Sequence, residues 1–505
     1  MLKQLLCTQP IGDARAPRAV GHELERALSA TTLTVLGIGG IVGTGIFVLT
    51  GTAAADHAGP ALMLSFVVAG IGCAFAALCY AEFSAMIPVS GSAYSYCYAT
   101  LGEAVAWFVG WNLLLEYLFA IATVSTGWSG YVLSLLAQFR VHVPYALSHA
   151  PFDQAAGPLE IVRTGAILNI PAVAIAAAVA VVCYIGIRQT AALNAVIVAV
   201  KVAVIVAFVV FGASHIRTPN WHPFVPPNTG AFGRFGWSGV LGAAGVIFFA
   251  YIGFDAISTA AQETHRPQRA MPIAILASLA ICTLLYVAVS AVLTGMVRYE
   301  RLSVPDPVAF AIDQHPSLAW LGVPVKIGAI AGMTSVILVM TLAQARIFLS
   351  MAHDGLIPEW FARIHPRYRT PSAATVVTGS TAAIIGGLLP VRILGELVSI
   401  GTLAAFITVC LGVLVLRRTR PDLHRPFRAP APWFTCIAGA AVCAAMMVSL
   451  GPSTWIRLVG WTLVGTAVYA GYGYRHSRLH AAVACTTGAA SSRRTADGAD
   501  RPRGD

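Results

Sequence analysis

Apolar residues run along this chain in long unbroken blocks separated by short polar stretches. Twelve blocks approach or exceed the roughly 20 residues needed to cross a bilayer as a helix: 31–53, 60–86, 104–136, 170–187, 190–213, 238–262, 272–296, 324–350, 372–391, 396–417, 433–450 and 455–474. The pattern predicts an all-α polytopic membrane protein with twelve transmembrane helices.

Two blocks are interrupted. The first contains "LGIGGIVGTGIF" from Leu36 to Phe47, and the sixth contains "FFAYIGFDAIS" from Phe248 to Ser258. Glycine inside a helix costs roughly 0.5–1 kcal/mol relative to alanine, so such density predicts discontinuous helices 1 and 6. Two broken helices five apart suggest two inverted copies of five helices, a design that sets a transporter's binding site at the breaks. The chain then divides into an N-terminal tail (1–30), a first repeat (31–213), an outer loop (214–237), a second repeat (238–418), two added helices (419–474) and a C-terminal tail (475–505).

Composition sharpens the class. The chain is 57% hydrophobic and 10% charged, against about 25% charged in soluble domains. The N-terminal stretch is polar and basic, without the apolar core of a cleaved signal peptide, and the Ser/Arg/Gly-rich C-terminus is expected to be disordered. The net charge of +11 comes from arginines in loops beside apolar spans, not from a basic domain interleaved with aromatics, so nucleic acid is not an expected partner. Arg15, Arg18, Arg26, Arg188 and the runs at 363–369, 417–428 and 475–478 fall on one side of an even helix count. By the positive-inside rule both termini are cytoplasmic, in the plasma (inner) membrane. Ten cysteines, Cys7 and Cys485 among them in the tails, contain no C-x-x-C pair, so neither metal nor redox chemistry is indicated.

Backbone left unpaired in lipid is tolerated only where it lines a cavity. At the first break, the amides of Gly43, Thr44 and Gly45 are placed to bind a carboxylate, aided by the helix dipole, and the Ile41 carbonyl to bind an ammonium. The competing account is close helix packing, since Gly39 and Gly43 are spaced GxxxG. Lys201 stands twelve residues after Gln189 and eleven before Gly212, roughly 17 Å from either end of its helix. It is too deep to snorkel, and a central lysine costs about 2.5–3.5 kcal/mol on insertion scales. It is the candidate for proton coupling, against the plainer account of a lysine held permanently by carbonyls. Glu116 and Asp255 are acids deep in helices, candidates to line the cavity, receive a cationic side chain or act as a gate. Glu82 reads as structural or a gate; Glu263, Arg346 and Lys326 read as interfacial. Trp107, Trp111 and Trp128 read as anchors or packing, and Phe249, a turn before the second break, as a ring able to close over a ligand.

With these residues in view, the chain resembles the amino acid–polyamine–organocation superfamily, most of all bacterial members of its cationic amino acid transporter family. The ordered signatures are "GIGGIVGTGIFVLTG", "YAEFSAMIPVSGSAYSYCY", "GWNLLLEY", the lysine of the fifth helix, "FFAYIGFDAISTAAQETHRPQRAMPI", "ARIFLSMAHDGLIP" and "RPFRAPAPW". The resemblance implies a five-plus-five inverted-repeat (LeuT/APC-like) fold working by alternating access. It implies that backbone at Ile41, Gly43, Thr44 and Gly45, with that near Phe249 and Ile252, binds the substrate's amino and carboxylate groups. Phe249 becomes the occluding ring, Asp255 an acidic gate, and Met340 a limit on pocket size. Lys201 matches a lysine that replaces sodium in proton-coupled relatives, which favours H⁺ over Na⁺ as coupling ion. After the sixth helix, "AQETHRPQ" carries Glu263 where many relatives have a second acid beside it.

The expected function is secondary active import of amino acids, by proton symport, in a monomer or weak oligomer embedded in lipid, with no cofactor and no metal. An amino acid or polyamine exchanger without proton coupling and a non-transporting membrane sensor are the alternatives. An enzyme is disfavoured: there is no nucleophile elbow, no HExxH and no acid dyad. Glu116 and Asp255 would suit a cationic substrate, and a bulky Met340 a small neutral one.

Overall fold

A computed structural model describes residues 28–87, 91–154, 160–186, 191–261 and 264–479, with the side chains of 191–194 left aside. Most of both tails, including Cys7, Cys485, Arg15, Arg18 and Arg26, lies outside the described residues, as do Arg188 and Glu263. Each of the twelve apolar blocks coincides with helix. In chain order these are α1 (Ala30–Ile41), α2 (Leu62–Met86), α4 (Glu103–Gln138), α5 (Ile170–Ile185), α6 (Ala191–Ala213), α7 (Gly236–Ile247), α9 (Pro267–Met296), α11 (Ala319–His353), α12 (Ser372–Leu388), α13 (Val391–Thr419), α14 (Pro432–Ser449) and α15 (Pro452–Val468). Short helices α3 (Ser92–Thr100), α8 (Ala256–Thr259) and α10 (Pro307–Asp313) lie between them, with a small antiparallel hairpin of β1 (Phe152–Gln154) and β2 (Ile161–Arg163). Among the described residues, eight helical stretches are long and apolar enough to cross a membrane, one of them Gly45–Met86, and three shorter apolar helices accompany them.

Both interruptions are real. α1 ends at Ile41, Val42 is extended (φ −76°, ψ 98°), and the chain resumes as a π-helical turn over Gly45–Leu49. α7 ends at Ile247 and passes through a 3₁₀ turn, Phe248–Tyr251; Ile252 is extended and α8 begins at Ala256. The breaks face each other. A Cβ on Gly45 would sit 2.3 Å from the Ala250 Cα, and one on Gly253, whose φ is +122°, would sit 2.7 Å from the Gly40 carbonyl carbon. Glycine is needed at both places because backbone meets backbone with no side chain between.

Two helix starts differ from the sequence expectation for one reason. Pro272 and Pro324 mark the expected starts, but the helices begin earlier, at Pro267 and Ala319, and run through both prolines. For α9 the effective signal is Pro267 in the first turn, where its missing N–H costs nothing. The short helices α3 and α10 lack the apolar length that betrays a span, and the pattern of long blocks does not reveal them.

α4 and α11 pack against one another and form the frame on which the breaks lie, while α9 packs on α1 and α2. α15 is fixed to α4 by stacked indoles. Trp111 and Trp461 rings lie 4.7 Å apart, and each indole N–H donates to the other's backbone carbonyl, at 2.8 and 3.1 Å. Trp107 donates to the Gly465 carbonyl at 3.0 Å, and Trp128 to the Thr334 hydroxyl at 3.0 Å. Packing, not interfacial anchoring, accounts for these tryptophans; satisfied N–H groups let such large rings be buried without loss.

Candidate functional site

The two breaks and the α4/α11 frame line a narrow pocket. It is lined by Gly40, Ile41, Gly43, Thr44, Gly45, Ala120, Val124, Phe249, Ile252, Val336 and Met340. All of these residues are buried. Seven of the nine residues expected to bind substrate are therefore brought together: Ile41, Gly43, Thr44, Gly45, Phe249, Ile252 and Met340. Among the described residues, no carbonyl accepts from the amides of Gly43, Thr44 or Gly45. The Thr44 hydroxyl is buried without a partner. Unpaired buried donors cost about 1–3 kcal/mol each, so this cluster is a standing demand for an acceptor.

Ala120, Val124 and Val336 were not expected there. The signal lay in helical spacing: Ala120 and Val124 are four apart on α4, Val336 and Met340 four apart on α11, so each pair shares one face. Together they form an apolar slot leading from the breaks.

Glu116 and Asp255 do not line the cavity. Glu116 lies one turn further along the same α4 face as Ala120 and is fully buried, and neither carboxylate oxygen has a hydrogen-bond partner. Asp255 is turned toward the break itself. It accepts from the Tyr117 hydroxyl and, at 3.2 Å, from the Gly253 amide, so it serves the unwound backbone of α7–α8.

Two side chains tie the breaks to their surroundings. Lys201 of α6 is fully buried and donates to the carbonyls of Gly39 (2.6 Å) and Val42 (3.0 Å) and to the Ser335 hydroxyl (3.3 Å). No carboxylate among the described residues pairs with it. Gly39, read from spacing as a packing glycine, thus also supplies a carbonyl to the lysine. Tyr286 of α9 donates to Ile41 (2.9 Å) and Ala250 (2.8 Å), one carbonyl from each break. Tyr286→Phe is expected to free both carbonyls and lower thermal stability by about 1–3 kcal/mol, read as a fall in melting temperature; an unchanged value would show that the bridge contributes nothing.

The remaining ionisable candidates sit toward the two ends of the bundle. Glu82 accepts two hydrogen bonds from Arg417, at 2.9 and 2.5 Å, and one from the Ala429 amide at 2.9 Å, joining α2 to α13 and the loop beyond. Arg346 donates to Thr259 at 3.3 Å, joining α11 to α8. Lys326 is buried, not interfacial: it pairs with Asp313 of α10 at 2.9 Å and donates to Gln138 at 3.3 Å. The eight described cysteines are free and buried.

A family model described as "Amino acid permease" matches residues 28–469. The chain belongs to the amino acid permease family. It is 46% identical to the methylthioribose transporter of Bacillus subtilis (strain 168) over 90% of this chain and 95% of that protein. It is 42% identical to the branched-chain amino acid permease BcaP of the same organism over 93% and 98%. Against cationic amino acid transporter 4 of Mus musculus it is 37% identical over 86% of this chain and 65% of the relative. This permease is thus a multi-pass membrane protein of a transporter family and not an enzyme, and the apolar helices are its membrane-crossing elements.

Proposed function

We propose that this permease imports neutral amino acids with short or branched apolar side chains across the plasma membrane, coupled to protons. The observation that carries the reading is the buried pocket in which three unpaired amides meet an apolar slot. The α-carboxylate takes the amides of Gly43, Thr44 and Gly45 and the Thr44 hydroxyl. The ammonium takes the Ile41 carbonyl and backbone near Phe249 and Ile252, and the side chain enters between Ala120, Val124, Val336 and Met340. The slot offers no acid to a cationic side chain, because Glu116 and Asp255 stand outside the lining. The relative named BcaP points the same way.

Twelve spans, an inverted five-plus-five arrangement and cytoplasmic termini complete the reading, supported by the position of the two breaks and the arginine distribution. Alternating access then consists of the broken helices tilting against α4 and α11. Lys201, when charged, holds the first break to α6 and α11, and releases it when its proton leaves. An ammonium at the Gly39 and Val42 carbonyls occupies acceptors that a sodium ion would need, which favours H⁺ as coupling ion.

A thermal-shift screen of the purified protein against the twenty amino acids and methylthioribose tests the substrate class. Stabilisation by alanine, valine, leucine or isoleucine, with none by arginine or lysine, is expected. Stabilisation by methylthioribose alone would overturn the reading; the cavity's side chains offer one hydroxyl, few partners for a sugar's several. Ala120→Leu is expected to raise the KM for valine about tenfold or more, since misfit of a few carbons costs 1–3 kcal/mol, while leaving alanine uptake closer to wild type. Equal losses for both substrates would remove Ala120 from the side-chain subsite.

A further inference from the structure

We infer that Gly127 of α4 is a positioning residue for the carboxylate end of the site: its missing side chain is a notch that seats Thr44 and holds the Thr44 hydroxyl free for the ligand. The inference rests on the proposed place of the substrate's α-carboxylate.

Four buried threonines in the helices of this permease give their hydroxyls to the carbonyl four residues back. Thr50 does so with Ile46 at 2.7 Å, Thr123 with Phe119 at 2.7 Å, Thr341 with Ile337 at 2.7 Å and Thr402 with Val398 at 2.9 Å. That bond is the local alternative open to a threonine inside a helix. Thr44 is fully buried, yet its hydroxyl makes no such bond and no other. The extended Val42 lies between Thr44 and Gly40, the residue four back, so the helix is interrupted at that point. The hydroxyl is left over beside Gly43 and Gly45, in the lining of the pocket.

α4 fixes where that side chain sits. A Cβ on Gly127 would lie 2.6 Å from Thr44 Cγ2, 2.9 Å from Thr44 Oγ1 and 3.1 Å from Val48 Cγ2. These are side-chain atoms, unlike the backbone that Gly45 and Gly253 meet, so the notch fits a side chain and not the path of the chain. Both branches of Thr44 touch its wall, and a β-branched side chain has few χ1 positions to choose among. Filling the notch therefore turns the hydroxyl away from its present place. The half-helix cannot simply back off instead, because Tyr131, one turn further along α4, donates to the Phe47 carbonyl at 2.8 Å.

Ala120, Val124, Gly127 and Tyr131 are spaced four, three and four, so they share one face of α4. Val124 and Gly127 are roughly 4.5 Å apart along the axis. One helix face thus carries the slot for the ligand's side chain and, beside it, the seat of a donor to its carboxylate.

The test uses full-length protein carrying G127A, T44S, T44A, G127A/T44S or G127A/T44A. Binding of L-valine and L-alanine is measured by isothermal titration, and uptake in proteoliposomes. G127A should raise Kd and KM about tenfold or more, the size of a hydrogen bond to a charged group, with a smaller effect on kcat. The loss should be equal for alanine and valine, unlike that in Ala120→Leu, because both carry the same carboxylate. T44S removes the methyl that the new Cβ strikes and keeps a hydroxyl able to turn, so G127A/T44S should regain most of the affinity. T44A should cost as much as G127A, and G127A/T44A no more than either, since the two residues act as a unit. Losses that multiply in G127A/T44A, a loss confined to valine, or no recovery in G127A/T44S would overturn the inference. If G127A fails to fold, G127A/T44S decides: folded, binding protein supports the seat, and a second unfolded variant overturns it. Wild-type protein that binds neither amino acid would count against the proposed function, whereas recovery of the G127A melting temperature by T44S is read without ligand and would still uphold the contact of Gly127 with Thr44.

Discussion

Lys201→Met is expected to abolish uptake driven by a pH gradient. Methionine nearly matches lysine in length and fills the same buried space, so the change removes a donor and a charge without opening a void. What it leaves behind is specific: the carbonyls of Gly39 and Val42 lose the ammonium that lies 2.6 and 3.0 Å away. Each unpaired buried acceptor costs about 1–3 kcal/mol, and both sit on the residues that turn α1 into the break. The present arrangement of the break should therefore be disfavoured, and no group at this position remains to take up and release a proton. In proteoliposomes with an acidic exterior, accumulation should fall tenfold or more, since each 1.4 kcal/mol is a factor of ten. Counterflow at equal pH separates the two consequences. If the lysine only couples, exchange survives; if it also braces the break, exchange falls in parallel. Uptake by the methionine variant that still follows the pH gradient would remove Lys201 from the coupling mechanism.

The sequence was most informative where a residue type was out of place in its surroundings. Glycines crowded into an apolar block, and a lysine at mid-span in a chain whose lysines are Lys3, Lys201 and Lys326, cost free energy unless something uses them. Both guided the reading to the cavity and to its tether. Residues that fit their surroundings gave no such signal. Ala120, Val124 and Val336 are ordinary in a membrane helix, and only the meeting of α4 with α11 turns them into a slot. Glu116 and Asp255 are out of place and drew attention, but their expense does not say which way they point. Asp255 satisfies the break's own Gly253 amide and Tyr117, and Glu116 lies a turn beyond the cavity. Lys326 reads as interfacial because its burial depends on α10, a seven-residue helix too short for any periodicity to announce. Family resemblance narrowed the function further than spacing did. The absence of an acid from the cavity lining is a fact of tertiary structure, and it is the reason to favour neutral substrates over cationic ones.

Gly45→Ala should be severely damaging to uptake, although it adds only a single methyl group. Its Cβ would lie 2.3 Å from the Ala250 Cα, 2.4 Å from the Ala250 Cβ and 3.0 Å from the Ala250 nitrogen. Two of those three atoms are backbone, so no rotamer change relieves the clash; the breaks must part. Parting them moves the Gly43–Gly45 amides away from the carbonyls across the cavity and pulls Ile41 and Ala250 off the hydroxyl of Tyr286 that joins them. Gly253→Ala should act alike, with backbone strain at φ +122° added to its contact with Gly40. Gly40→Ala, only one residue from the break, meets nothing nearer than Val339 Cγ1 at 3.5 Å, an ordinary contact. Gly460→Ala in α15 has nothing within 4 Å and gains about 1 kcal/mol of helix propensity. The order of damage should therefore follow contact with the opposite break, not distance along the chain. Amino acid uptake and ligand-induced thermal stabilisation should fall tenfold or more in Gly45→Ala and Gly253→Ala, and stay near wild type in Gly40→Ala and Gly460→Ala. Wild-type uptake by Gly45→Ala would mean that the two breaks are not in contact in the working protein. The cavity they enclose would then lose its claim to be the binding site.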